Sequence, residues 1–594
     1  MPDNPLSFPS DPWVIKPQVL DEIFTDRSEF LEYFYETARK AATRRAMSTV
    51  LLGQRRMGKT EIFRRVVNRL FFEQDPQSPD AVVPVYFSFP DTQSDPLTFA
   101  LKYVENFMRY YFAFHTRRPE IIRDTMDIDR LIAEMEAART VQPRISGLGR
   151  LLGWYKPMRE GRTTNPQQDA VEIPRRISDS DDSTIVVFLD EFQNTHLPHD
   201  KFRIVGYMQN AVESYTCPHF VTGSAMSILA REILGRGALF GRFRSKPIEE
   251  LSGFWGAELV KRAAHYYDIT VPEVMAPIVA ERCGGNPFYI AAVVQQAAEL
   301  KASLVDEESI NSVLAIDISS GFIWAELYEQ VNGWIGRINE HNITKWILYL
   351  SAQEEERKIS LERIQRELKA KEGTDVSLEM IREVLVRLSR GDLLDYKEFG
   401  NWFHGVDDPI LLEFIKVWGR VELEGQSQAR VRGELDDRYR KLARRIHDYK
   451  GYLAEVFMAQ VLLSNQNHRK QPLPGRFFNS QEDIQLPTIL HYLNHRVQLS
   501  SGKEKEVDIL AAYSGVTWVC QSKWVTDRKV GVAVLQAMLE QVKLVQEEYD
   551  PIAIQTWLFA HEGLTEEAKV LAQKECIFWS NREQLDGILA HLGL

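Results

Sequence analysis

Two short stretches of this sequence hold the residue types and spacings that phosphate chemistry needs. The first is Gly53-Gln54-Arg55-Arg56-Met57-Gly58-Lys59-Thr60. Gly53 and Gly58 let backbone N–H groups converge on an anion at a helix N-terminus, Lys59 neutralises β- and γ-phosphate oxygens, and the Thr60 hydroxyl suits Mg²⁺. The second is EVDILAAYSGVTWVCQSKW, Glu506 to Trp524. Asp508 offers a hard anionic oxygen to a divalent ion. Gln521, two residues before Lys523 and therefore on the same face of a strand, offers a neutral oxygen to that ion. Lys523 would stabilise charge developing on a phosphorane or orient the attacking water. Glu455 on a preceding helix closes the set from the opposite side, and Glu506, two residues from Asp508, is an alternative second carboxylate.

These residues act only if the chain brings them to the ends of strands. MSTVLL is a short apolar strand and TEIFRRVVNRLFF an amphipathic helix, so the first motif sits in strand–loop–helix order. STIVVFLDEFQN is a second apolar strand, ending in Asp190-Glu191. Asp190 is placed to hold Mg²⁺ through water, and Glu191 to orient or deprotonate an attacking water. A third strand, in HFVTGSAMSIL, ends in Thr222-Gly223-Ser224, small polar groups that could touch a terminal phosphate.

Most of residues 20 to 420 resemble the archaeal-type ATPases near the STAND and Orc-like branches of the AAA+ superfamily. The resemblance rests on IFTDRSEFLEYF before the phosphate loop, VTGS as a sensor strand, GALFGRFRSKPIEELS, and CGGNPFYI, which is similar to the GGxP motif of a helical lid. It implies ATP and Mg²⁺ as ligands. It implies that Arg242, with Arg244 next, reads the terminal phosphate in cis or across a subunit interface. It also implies that Pro287 and the segment Phe24 to Arg27 lie near the adenine. A surface role for the two arginines and a plain helix-ending turn at Gly284 to Pro287 are the alternatives.

The last 145 or so residues run helix, hairpin, helix, strand, helix, strand, an α/β order with a mixed sheet. That order resembles the PD-(D/E)xK nuclease core, within it the subgroup related to Mrr. The resemblance implies Mg²⁺, or Mn²⁺, at Glu455, Asp508 and Gln521, and DNA as substrate. Gln521 stands where most relatives have Glu. The amide removes one negative charge from the metal shell and weakens Mg²⁺ binding, and an inactive nuclease fold is the alternative.

Between the phosphate-loop helix and the Asp190 strand, residues 140 to 183 are rich in Gly, Pro, Ser and charge and read as a flexible insertion. Its basic residues (Arg144, Arg150, Lys156, Arg159, Arg162, Arg175, Arg176) and those near 430 to 450 suit either phosphate or solvent. From about 340, three short amphipathic helices and two short strands describe a winged helix. Its third helix carries mixed charge, which favours packing or regulation over sequence reading.

A chain of 594 residues is too long for one core. The expected architecture is an α/β multidomain protein: a P-loop NTPase core at 1–255, a helical lid at 256–335, a winged helix at 336–425, a basic helical connector at 426–446, and a restriction-endonuclease-like α/β domain at 447–594. A net charge of −12 excludes a uniformly basic coat but not local patches. Four scattered cysteines without a CxxC pair suggest neither zinc nor a disulfide framework. No apolar run reads as a membrane span, and the acidic, Pro-containing start does not read as a signal peptide, which places the chain in the cytoplasm. The reading is an ATPase that controls an attached metal-dependent DNase, in prokaryotic defence against foreign DNA. The rivals are a regulatory switch or scaffold, homo-oligomeric or bound to a partner protein, and a DNA-remodelling motor.

Overall fold

The computed structural model describes residues 13–593 except 92–94, 142–146, 182, 197–203, 224–232, 234–236, 339–340, 355–357, 374, 398–401, 465–471, 488–489, 500–505 and 526–527. The chain forms two compact units, Met1–Leu435 and Asp436–Leu594.

The first unit is built on a parallel five-stranded sheet in the order β2-β3-β4-β1-β5. Its strands are β1 (Thr49–Leu52), β2 (Val82–Ser88), β3 (Thr184–Asp190), β4 (His219–Thr222) and β5 (Arg244–Pro247). β1, β3 and β4 are buried at every position, so their sequences read as continuous apolar runs instead of alternating. Helices of seven or more residues are numbered along the chain: α1 (Ser28–Arg39), α2 (Lys59–Phe72), α3 (Pro96–Thr116), α4 (Ile128–Val141), α5 (Gly147–Arg159) and α6 (Pro166–Asp181).

The expected flexible insertion is, over its described residues, packed structure. Leu148, Leu151, Leu152 and Tyr155 of α5 and Val171, Ile173 and Ile177 of α6 are buried in one core with Tyr111 and Phe114 of α3. Apolar residues at helical spacing were masked in the sequence by Pro157 and Pro174, which both lie inside helices. The basic residues here are paired within the unit. Arg150 meets Asp181 at 2.7 Å, Arg176 meets Glu172 at 2.6 Å, and Lys156, Arg159 and Arg162 meet Glu136, Asp129 and Glu160. Arg144 lies outside the described residues.

The rest of this unit is helical: α7 (Gly253–Tyr266), α8 (Ala276–Arg282), α9 (Pro287–Glu299), α10 (Glu307–Ser320) and α11 (Phe322–Gly336). Then come α12 (His341–Ala352), α13 (Leu361–Glu372), α14 (Leu378–Ser389), the antiparallel pair β6 (Asp395–Lys397) and β7 (Trp402–His404), and α15 (Pro409–Glu422). By length and composition alone Glu307–Gly336 is long and apolar enough to cross a membrane, and 56% of its most apolar 18-residue stretch is buried within the fold. It is divided between α10 and α11 at Gly321, whose extended backbone (φ −98°, ψ −151°) ends one helix and starts the next.

The second unit is a three-layer α/β/α arrangement around a mixed sheet in the order β12-β11-β10-β9-β8. The elements are β8 (Tyr492–Gln498), β9 (Glu506–Tyr513), β10 (Val516–Lys523), β11 (Ala553–Ala560) and β12 (Ile577–Ser580), with α17 (Val532–Tyr549), α18 (Glu566–Lys574) and α19 (Arg582–Leu592). β8, β9 and β10 pair antiparallel, while β10, β11 and β12 pair parallel. One face packs Trp518, Cys520 and Trp557 against Ala454, Met458, Val461, Leu585 and Ile588. The other packs Val519 against Val545, and Leu558 against Leu535, Met538 and Ala568. Residues 428–446 of the expected basic connector are part of one helix, α16 (Gln428–Ser464).

Candidate nucleotide and metal sites

In the first unit the candidate residues stand at the carboxyl ends of β1, β3 and β4, where open parallel sheets bind ligands. Gly53 follows β1 against Ile248. A Cβ there would lie 2.3 Å from Ile248 Cγ2 and 2.5 Å from its carbonyl oxygen, so only glycine fits. Gly58 has φ +85° and is the N-cap of α2, which turns the loop into the helix. Between them Arg56 also holds a left-handed backbone, φ +64°.

Lys59 is buried, and its Nζ donates to the carbonyl oxygens of Gly53, at 2.7 Å, and Gln54. Burial lowers its pKa to about 8, although Asp392, Asp190 and Glu191 act in the other direction. Asp190 is buried, accepting from Tyr86 Oη at 2.8 Å on Oδ2 and from the Glu191 backbone N–H at 2.8 Å on Oδ1. Glu191 has φ +52°, and burial followed by the Asp190 charge raises its pKa. A basic lysine, a fixed carboxylate and a carboxylate biased toward proton uptake thus share one site.

They open onto a cavity of about 520 Å³. Arg55 to Thr60, Asp190, Glu191 and Gly223 line one part, and Phe24, Thr25, Arg27, Leu259, Pro287 and Ala291 line another. Gly53 and Gln54 stand behind this wall as the acceptors for Lys59. Pro287 arrives by the turn read in the sequence: Gly284 and Gly285 have φ +60° and +66°, and the Asn286 side chain caps α9 by accepting from Phe288 N at 3.0 Å. Ser224 lies outside the described residues.

Arg242 is not part of this wall. Its guanidinium sits 2.8 Å from Glu213 and donates to the carbonyls of Ala238 and Phe240, while Arg244 lines a separate cleft with Glu29 and Glu36. In this structure an acidic neighbour holds the Arg242 side chain away from the described lining of the cavity.

Sequence reading missed a connection from the phosphate loop to α11. Arg56 donates to Gln330 Oε1 at 2.6 Å and to Glu326 Oε1 at 3.1 Å, and stacks over Phe288 at 5.1 Å. Arg55 lies over Trp334 at 5.8 Å, and burial lowers its pKa to about 10. No local motif marks Glu326, Gln330 or Trp334.

In the second unit, Asp508 on β9 accepts from the Ser522 backbone N–H of β10 at 2.7 Å. Burial raises its pKa to about 6; Lys523 opposes the rise, and Glu455 and Glu506 add to it, so these four groups share one electrostatic neighbourhood. Gln521 is buried, and its Nε2 donates to the Glu506 carbonyl at 3.1 Å, which also accepts from Gln541 of α17 at 2.8 Å. The donor end of the Gln521 amide is spent there, leaving the oxygen as the end suited to a cation.

Glu455 is buried on α16 and engaged on both oxygens by a residue the sequence reading did not single out, Arg496 of β8. Among the described residues, the trio of metal-type side chains whose ligand atoms lie within 4.8 Å of one another is Asp395, His404 and Asp407, at the β6–β7 hairpin. Glu455, Glu506 and Asp508 do not close to that distance.

No protein-family model and no curated relative matches the sequence. Solved structures give broad likenesses. A Walker-type ATPase of Pyrococcus abyssi is 14% identical with a TM-score of 0.43, covering 68% of this chain and 99% of its own. The Orc1 protein of Aeropyrum pernix in complex with DNA is 13% identical with a TM-score of 0.37, covering 68% of this chain and 95% of its own. The RuvB Holliday junction branch migration motor of Thermotoga maritima is 15% identical with a TM-score of 0.29, covering 66% of this chain and 95% of its own. Likenesses at these identities and scores identify neither an activity nor a partner for this chain.

Proposed function

We propose that this chain binds and hydrolyses ATP, and that its nucleotide state controls a metal-dependent DNA endonuclease carried on the same polypeptide, in the cytoplasm of a prokaryote defending against foreign DNA. The observation that supports the reading is the presence of one intact and one nearly intact set in one chain: Lys59, Asp190 and Glu191 at one cavity, and Asp508, Gln521 and Lys523 on adjoining strands.

In the first set, Thr60 and Asp190 are the residues to hold Mg²⁺, and Lys59 exchanges its loop carbonyls for phosphate oxygens. An anion beside Lys59 restores the stability of its charged form, offsetting the burial that lowers its pKa. Glu191 positions the attacking water, and its raised pKa suits it to take a proton. In the second set, Asp508, Glu455 and Gln521 supply hard oxygens that fit Mg²⁺ or Mn²⁺ by donor type, although Glu455 must first leave Arg496. Such an ion supplies Lewis-acid polarisation of a phosphodiester and a more acidic water. Lys523 stabilises the charge that accumulates on the phosphate. The three helices and hairpin from α12 to β7 suit a winged helix that transmits nucleotide state.

The test is cleavage of plasmid, linear and single-stranded DNA with Mg²⁺ or Mn²⁺, with and without ATP, by wild type, Lys59→Ala and Lys523→Ala. Loss of cutting in both variants supports coupling, and loss in Lys523→Ala alone makes the ATPase a separate function. If wild type leaves every DNA intact, the nuclease half is wrong. A second reading is a nucleotide-driven switch or scaffold, homo-oligomeric or partner-bound, with an inactive nuclease fold. It is favoured by the amide at Gln521 and by the pairing of Glu455 with Arg496. For this switch, as for a DNA-remodelling motor, size should change with ATP, and a constant monomer disfavours both.

A further inference from the structure

Arg496 is an unusual residue for a β-strand. It holds φ +52°, a left-handed conformation that branched or long L-residues adopt only when neighbours impose it. The β8–β9 ladder pairs His495 with Ile509 and Val497 with Val507, which puts Arg496 opposite Asp508 at the one position between them. From there its Nε donates to Glu455 Oε2 at 3.0 Å and its Nη2 to Glu455 Oε1 at 3.1 Å. The pair is asymmetric in burial: Glu455 is 7% exposed and Arg496 46% exposed. The guanidinium also lies 5.6 Å from the ring centroid of Tyr452, one turn before Glu455 on α16 and itself exposed. Glu455, Glu506 and Asp508 all stabilise the Arg496 charge, the Glu455 hydrogen bonds most strongly.

A carboxylate that spends both oxygens on a guanidinium fork cannot ligate a metal through the same lone pairs. A cluster of three carboxylates also needs a counter-charge when no metal is bound, since like charges held together raise one another's free energy. Arg496 meets that need from the solvent side, half-exposed and with the Tyr452 ring beside it.

We propose that Arg496 is a displaceable internal counter-ion of this site, whose guanidinium occupies on Glu455 the place that a divalent cation takes, so that ion binding and release of Arg496 are one event. The proposal rests on the nuclease reading for the identity of the ligands, but its test does not require cleavage. Metal-free protein keeps Glu455 turned toward β8. Cation binding turns it toward Asp508 and Gln521 and leaves Arg496 at the rim.

The experiment is Mn²⁺ binding to the full chain without nucleotide, read by the paramagnetic resonance signal of free Mn²⁺ and by calorimetry. The binding lost in Asp508→Asn defines this site. Arg496→Gln is expected to bind Mn²⁺ on the order of tenfold more tightly than wild type, because the competitor is gone. Arg496→Lys, which keeps the charge but loses the fork and guards against a folding failure, should fall between them. Metal-free Arg496→Gln should melt below wild type and gain more from a given Mn²⁺ concentration than wild type does, a difference that loss of a purely structural strut would not produce. Lys523→Gln removes a positive charge from the same cluster without freeing Glu455, so it should tighten binding less than Arg496→Gln. Equal tightening by the two, binding by Arg496→Gln no tighter than wild type, or no Asp508-dependent binding in any variant each overturns the proposal. Binding in the expected order by a protein that leaves DNA intact upholds it and removes the nuclease reading instead.

Discussion

Arg56, within the phosphate loop, donates from Nη1 to Oε1 of Gln330 on α11 at 2.6 Å, across a sequence separation of 274 residues. The loop that would cradle phosphate is thereby tied to a helix that no motif connects to it. A guanidinium cannot satisfy Gln330, Glu326 and a triphosphate with the same N–H groups, so this tie is where nucleotide binding can be felt outside the loop. Gln330→Ala removes a hydrogen bond to a charged group and should destabilise the nucleotide-free first unit by roughly 1.5–3 kcal/mol. Denaturant unfolding measures it, and an unchanged midpoint would show that the contact is not formed in solution.

Lys59 and Glu191 should separate binding from turnover. Lys59→Ala should weaken fluorescent ATP-analogue binding by at least tenfold, because the buried site loses the cation aimed at the loop carbonyls. Glu191→Gln should keep the affinity and lose roughly 10²-fold or more in phosphate release. If Glu191→Gln hydrolyses ATP at the wild-type rate, Glu191 is not the residue that handles the water.

Asp317 gives a pH dependence of known sign. It is buried on α10, accepts from the Ile323 N–H at 2.8 Å to cap α11, and has a pKa raised by burial to about 7. The folded state therefore holds a proton that the unfolded chain releases near ~3.9. The associated stability is fully present below that value and is lost as pH rises through about 7. The loss approaches roughly 4 kcal/mol, since each unit is worth ~1.36 kcal/mol. Asp317→Asn retains the acceptor and should flatten the unfolding free energy between about pH 4 and 7. A slope equal to wild type would assign the dependence to another group.

Gln521→Glu restores a charge to the proposed metal shell. The substitution should tighten Mg²⁺ binding at the second unit by about tenfold, and it sacrifices the hydrogen bond that the amide donates to the Glu506 carbonyl. Calorimetric titration of wild type and variant decides it. Weaker binding in the variant would mean that Gln521 serves β9–β10 packing instead of a cation.

Much of this architecture was legible locally. Gly53, Gly58 and Lys59 are constrained by a short loop between a buried strand and a helix, and the same local sequence sets both conformation and chemistry. Asn286 and Pro287 likewise carry their own capping instructions. The helices at 147–181 were not legible, because Pro157 and Pro174 argue against a helix and only contacts with α3 outweigh them.

The sequence by itself determined which residue types could meet phosphate or metal and on which strand ends and helix starts they stand, because spacing along a strand or loop is a local property. Only the tertiary structure decided which of them meet. Arg242 turned to Glu213, Arg56 reached Glu326, and Glu455 paired with Arg496. Each of those outcomes depends on which charge lies nearest after packing. Coulomb attraction at 3 Å in a partly buried setting outweighs any preference a residue shows in isolation, and the partners are brought together by folds of the chain that no short motif records.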